Sequence, residues 1–337
     1  MWPFMLKRSI GDFLALILLV ESLAALAVGR DLSAELAAAD SLLQAGDYDQ
    51  AFAEYSRFAA ENPLAQFNLG LFEYSGWGRN VDRVAACHHF EAASAGEIPM
   101  AQQLLADCYR LGVHTPASFS AAQQWYRRAV ENGLPTANYW WGRMLIDGTA
   151  GTRDVREGVR RCELAAGAGA IEAQLYLARN YLGGGPFSPD QQRALYWYER
   201  AAQANNAEAL YHLGILMGDG LREGAGREEA LFAMESAAEQ GYQAAYLPTA
   251  EMYYSASPDS DTNLPTAENL AKSYLWLQAA LKTTDSHEEK ARARQMLEAV
   301  MGIMPETWVP DLDEKLDAHF GKLNEQSSYQ SSTVVGK

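Results

Sequence analysis

Two aromatic rings and two arginines recur at one spacing. Trp140 and Tyr176 stand 36 residues apart, and so do Arg143 and Arg179, with His212 a further 36 residues on. Exposed aromatics beside guanidinium groups are the chemistry of holding a partner rather than of turning over a substrate. Residues suited to catalysis or metal binding are not arranged for it. His88-His89-Phe90-Glu91 holds the one histidine pair, yet a helical zinc site sets its histidines four apart on one face. His89 takes the slot that Trp125 and Trp197 fill elsewhere, so a packed ring is expected there. Gly218-Asp219-Gly220-Leu221-Arg222-Glu223-Gly224 has the glycines of a phosphate loop, but an inter-helix turn accounts for them. Asp259-Ser260-Asp261-Thr262-Asn263 opens like a calcium loop. Leu264 then replaces the turn glycine and Leu270 the bidentate glutamate. No Gly-x-Ser-x-Gly elbow occurs. The expectation is a protein that is not an enzyme, without cofactor or metal.

The spacing of 36 belongs to the whole chain. Alanine stands at Ala65, Ala101, Ala137, Ala173, Ala209 and Ala245. Five residues after each comes Gly70, Ala106, Gly142, Ala178, Gly214 and Ala250, and eleven residues after the first five come Gly76, Gly112, Gly148, Gly184 and Gly220. A fixed period of this length predicts stacked two-helix units. In the fifth unit, apolar or small residues at offsets 0, 4, 5 and 8 from Ala209 draw one stripe along a first helix. Gly218-Asp219-Gly220 ends it, and a second helix carries Ala230, Ala233, Ala237 and Ala238. Glycine inside a helix costs about 1 kcal/mol against alanine, so the small residue at offset 5 must serve close helix approach.

The pattern Ala-x-Tyr-x-Leu-Gly, then Gly-x-Gly, then Ala-x-x-Trp-Tyr-x-x-Ala-Ala with a closing Gly, resembles the Sel-one-like repeat (SLR) family, relatives of tetratricopeptide (TPR) repeats. The resemblance covers about Leu64 to Leu281. It implies an all-α fold, a right-handed α/α superhelical solenoid, acting as a non-enzymatic interaction scaffold. Some cysteine-rich relatives are linked to β-lactam binding. Their paired cysteines are not reproduced here, since Cys108 matches one position and the slot near Ala129-Val130 holds none.

The expected organisation is a signal peptide at 1–27, a TPR-like helix pair at 28–63, six repeats at 64–286, capping helices at 287–324 and a disordered tail at 325–337. Ser255-Ala267 stretches the sixth unit. Lys7 and Arg8, the apolar run Phe13–Val20 and Ala25-Leu26-Ala27 give the layout of a cleaved secretory signal, with the mature chain starting near Val28. An uncleaved N-terminal anchor is the alternative, opposed by Asp12 and Glu21 within it. A net charge of −16 excludes a nucleic-acid partner. Of three cysteines, Cys87 and Cys108 fall in neighbouring helices and could meet. With Cys162 they read as buried small apolar residues.

Within this register, offsets −1, 3, 6 and 10 lie opposite the packing stripe, on the side that is concave in TPR-like solenoids. Trp140, Tyr176 and His212 at offset 3, with Arg143 and Arg179 at offset 6, are therefore the expected partner-binding residues. The alternative is that these rings pack between adjacent repeats. The expected partner is an envelope protein or peptide segment, in the periplasm or outside the cell, with membrane contact only through associated partners. An acidic polysaccharide, bound as by a glycan-binding module, is the alternative.

Overall fold

All six register alanines, Ala65 through Ala245, are fully buried, so the 36-residue period marks where helices touch. The computed structural model describes residues 31–332 apart from 152, 223, 225 and 257–263, with side chains through Glu325. The signal-peptide reading, the calcium-like Asp259–Asn263 segment and the last five residues of the tail lie outside the described residues. These are all-helical, with no strand among them.

The chain divides into two compact units. Among the described residues, one holds those up to Ala173 together with Ser328–Ser332, and the other Gln174–Ser327. The first contains α1 (Ala37–Gln44), α2 (Tyr48–Phe58), α3 (Pro63–Ser75), α4 (Arg83–Ser94), α5 (Pro99–Leu111), α6 (Phe119–Glu131), α7 (Asn138–Asp147) and α8 (Val155–Gly167). Helix α9 (Ile171–Gly183) lies on the division. The second continues with α10 (Gln191–Gln203), α11 (Ala207–Gly218), α12 (Arg227–Glu239), α13 (Tyr246–Tyr254), α14 (Ala267–Thr283), α15 (His287–Met301) and α16 (Val309–Ser332).

Each first helix of the first unit's repeats stops on a glycine with φ of 68–74° at Gly76, Gly112 and Gly148, a conformation a β-carbon penalises. The following helix then opens on a residue at a second fixed register. Asp82, Ser118 and Asp154 each accept a hydrogen bond on the side chain from the backbone N–H three residues on. Their own backbone N–H groups donate to the carbonyls of Glu73, Tyr109 and Leu145 at 2.8–2.9 Å. The turn is therefore pinned to the helix it leaves and caps the helix it enters.

In the second unit the core gathers around Tyr246, stacked on Trp276 at 5.6 Å, with Leu277, Val300 and Leu316 buried about them. Helix α16 runs on to Ser332, past Asn324, where the sequence reading ends the capping helices.

The reading of all three cysteines as separate apolar residues is corrected for two of them. Cys87 on α4 and Cys108 on α5 form a disulfide, their Cα atoms 5.9 Å apart. Helices α4 and α5 pack as neighbours and each turns its cysteine into the shared core. Cys162 is buried without a disulfide partner, and burial pushes its thiol up to about 12.

Candidate functional site

The first-helix side of the repeats is not equally open along its length. At offsets 3 and 6 the first two repeats place Asn68, Leu71, Leu104 and Asp107, all buried. Only from Trp140 onward do these positions reach solvent.

In the first unit, Trp140 and Arg143 lie on α7 and are both partly exposed. The Arg143 guanidinium is 5.9 Å from the Trp140 ring centroid. It donates to the Tyr139 hydroxyl at 3.1 Å and lies 3.7 Å from Asp147. The closer cation on Trp140 is Arg110 of α5, whose guanidinium carbon stands 4.0 Å over the ring. Arg110 is held from beneath. Its Nη2 donates to Asp107 Oδ1 at 2.8 Å and its Nε to the Tyr126 hydroxyl at 3.0 Å. Tyr126 in turn donates to the same Asp107 oxygen at 2.6 Å. Burial pushes the Asp107 carboxyl up, while Arg110 and Tyr126 pull against it. A buried carboxylate needs such partners. The result is an indole with a fixed cation on one side and a second arginine beside it, an arrangement suited to an acidic or carboxylate-bearing group.

In the second unit, Tyr176 is partly exposed and meets Phe187 edge-on at 6.4 Å. Arg179 is exposed and makes a two-pronged ion pair with Glu208, in the first turn of α11. His212 stacks on Tyr198 at 4.7 Å and meets Tyr211 edge-on at 5.0 Å. Burial draws the imidazole below its ordinary pKa, with Glu208 opposing and Arg179 adding to the shift. Tyr198 belongs to the second helix of the preceding repeat. At His212, therefore, the alternative role of packing between repeats is what the geometry shows.

Arg110 and Glu208 were not singled out by the sequence. Arg110 lies at offset 9, a position without period, and Glu208 one residue before a register alanine. Neither carries a repeat signal, because each answers one neighbour and not the array. His89 packs as a ring and bonds Gln66 Oε1 through Nδ1 at 2.7 Å. No helix among the described residues is long and apolar enough to cross a membrane.

Residues 63–97, 99–134, 171–206 and 207–242 match a model of the Sel1 repeat. An uncharacterised protein of Neisseria meningitidis serogroup B is 34% identical over 131 residues, which are 37% of this chain and 27% of that protein. The chain thus spans about a quarter of the length of this curated relative. Two solved structures are similar in fold. A protective antigen of uropathogenic Escherichia coli displaying an SLR fold has a TM-score of 0.62 at 23% identity, over 88% of this chain and 62% of its own. A Sel1 repeat protein from Oxalobacter formigenes has a TM-score of 0.58 at 23% identity, over 78% and 99%. At these identities the likeness shows the fold alone.

Proposed function

Because four stretches of this chain match the Sel1 repeat, we propose that it is a non-enzymatic scaffold of the bacterial cell envelope, holding an acidic segment of a partner protein against Trp140. Sel1 repeat proteins are in general protein–protein interaction scaffolds. The observation that carries the finer reading is the cation fixed on the Trp140 ring: Arg110, anchored by buried Asp107 and Tyr126. A preorganised aromatic–guanidinium platform loses little freedom when a carboxylate binds, which is what makes an anchor. Arg179 with Glu208 is a separate, polar contact in the second unit. Two features support an exported location, periplasmic or secreted. One is the charged, apolar and small-residue pattern of positions 1–27. The other is the Cys87–Cys108 disulfide, a bond that persists in oxidising compartments.

The test is partner capture from envelope extract after crosslinking. It compares the wild type, Trp140→Ala, Arg179→Ala and an outer-helix control, Arg127→Ala with Arg200→Ala, with folding checked by circular dichroism. Trp140→Ala is expected to weaken capture by about 2 kcal/mol, roughly 30-fold. Capture that survives this change but fails in the outer control moves the site to the second helices and overturns the reading. Titration with uronic-acid oligomers, followed by tryptophan fluorescence, separates a polysaccharide ligand from a protein one.

A further inference from the structure

Cys87 and Cys108 bridge α4 and α5, and His114 sits against that bridge from the loop after α5. The two sulfurs and an imidazole nitrogen of His114 all lie within 4.8 Å of one another. Both ring nitrogens of His114 are shielded from solvent, and neither has a hydrogen-bond partner. A structural disulfide gives no reason to bury an unsatisfied imidazole beside it, since such polar atoms are costly inside a protein. The surroundings do not explain it either. Tyr109 and His88 meet the imidazole edge-on with ring centroids at 5.1 and 5.5 Å. Glu91 turns to those two residues, its Oε1 accepting from the Tyr109 hydroxyl at 3.5 Å and its Oε2 lying 4.0 Å from His88 Nδ1.

We propose that the Cys87–Cys108 bond masks a thiolate–imidazole site, completed by His114, for a thiophilic divalent ion such as Zn2+, and that reduction unmasks it. A dithiol reductant supplies the two electrons. Its two S–H groups become one disulfide, the Sγ–Sγ bond of Cys87 and Cys108 breaks, and each freed sulfur takes up one proton. Metal binding then releases both thiol protons to solvent, leaving two thiolates and a neutral imidazole on the ion. Water fills the fourth position, as in zinc sites with three protein ligands. At Zn–S distances near 2.3 Å, tetrahedral coordination sets the sulfurs about 3.8 Å apart. Side-chain rotation on helices whose Cα atoms stand 5.9 Å apart can provide that separation. Two sulfurs and one imidazole favour zinc over the oxygen-seeking magnesium and calcium.

The experiment titrates Co2+, a spectroscopic stand-in for Zn2+, into the full chain carrying Cys162→Ala, so that no third thiol contributes. The disulfide-bonded protein is compared with protein reduced by a phosphine. The reduced form is expected to bind one equivalent, with the visible bands of tetrahedral thiolate-bound Co2+ that Zn2+ then abolishes. The oxidised form is expected to show none. His114→Ala should weaken binding at least about tenfold, the loss that even an outer-shell change produces, and Cys87→Ser with Cys108→Ser should abolish it. Equal binding by the oxidised form, no binding by the reduced form, or unchanged affinity in His114→Ala each overturns the proposal. A reduced chain that loses its helical circular dichroism and does not regain it with Co2+ overturns it as well, because the ligand set needs native packing of α4 on α5.

Discussion

Gly142 on α7 and Gly158 on α8 lie back to back, so close that a β-carbon added to either would stand 2.6 Å from the other's carbonyl oxygen. The Cys162 sulfur would be 2.8 Å from the same added atom on Gly142. Neither backbone can move without parting the helix pair. Gly142→Ala should therefore cost about 1–3 kcal/mol, the range for overpacking, and Gly142→Leu more. Urea midpoints measure the loss. Hydrogen exchange should place it in α7, α8 and the repeats beside them, since repeats touch only their neighbours. Unchanged stability in both variants would mean that the helix pair is not packed as described.

Removing the cation that stands over Trp140 should destabilise the fold. Arg110→Ala leaves Asp107 fully buried without its charge partner, a change worth about 3–5 kcal/mol. Asp107→Ala with Arg110→Ala should cost less than the two single losses added together, because neither charge is then stranded. Chemical denaturation of the four proteins closes the cycle. Strict additivity would show that the pair is not coupled.

The repeat was legible because its signals have a period. Small residues at offset 5 and left-handed glycines at offset 11 report the same contact at every turn, and a β-carbon added at Gly70, Gly142 or Gly214 would stand only 2.5–3.0 Å from an atom of the second helix. The cap register at Asp82, Ser118, Asp154 and Asp190 is equally periodic but weaker, since aspartate and serine also occur freely on surfaces. The candidate site was legible only as a column. Its actual partners, Arg110 over Trp140 and Glu208 on Arg179, depend on side-chain reach between helices, which spacing along one helix does not encode. The disulfide escaped for a similar reason. Cys87 and Cys108 sit at different registers of a second and a first helix, so no repeated pair announces them.

Reducing the Cys87–Cys108 bond in metal-free buffer should lower stability by about 3 kcal/mol, the loop-closure estimate for a crosslink of this span. The separation is 21 residues. Cys87→Ala with Cys108→Ala should show a comparable loss and become insensitive to reductant. Thermal unfolding with and without a phosphine measures both. A wild type whose unfolding ignores the reductant would show that the two sulfurs are not bonded in solution.

His212 gives the second unit an acid-side liability. Burial against Tyr198 lowers its folded-state pKa, Arg179 lowers it further, and Glu208 only partly offsets them. The unfolded chain, with an ordinary imidazole, therefore takes up its proton first as pH falls. The sign follows: this group's share of stability is complete above about pH 6.5 and is lost as pH drops from there through the lowered folded value. His89, His114 and His319 are depressed in the same direction, so the whole chain should lose stability over this range, and one substitution should remove only one part. His212→Phe keeps an aromatic ring against Tyr198 while deleting the titration. Urea unfolding between about pH 7.5 and 5.5 should show a shallower loss for His212→Phe than for wild type, with the curves diverging only on the acid side. A variant that loses stability in parallel with wild type across that range would mean that His212 titrates alike in the folded and unfolded chains, and that its stacking on Tyr198 does not desolvate it.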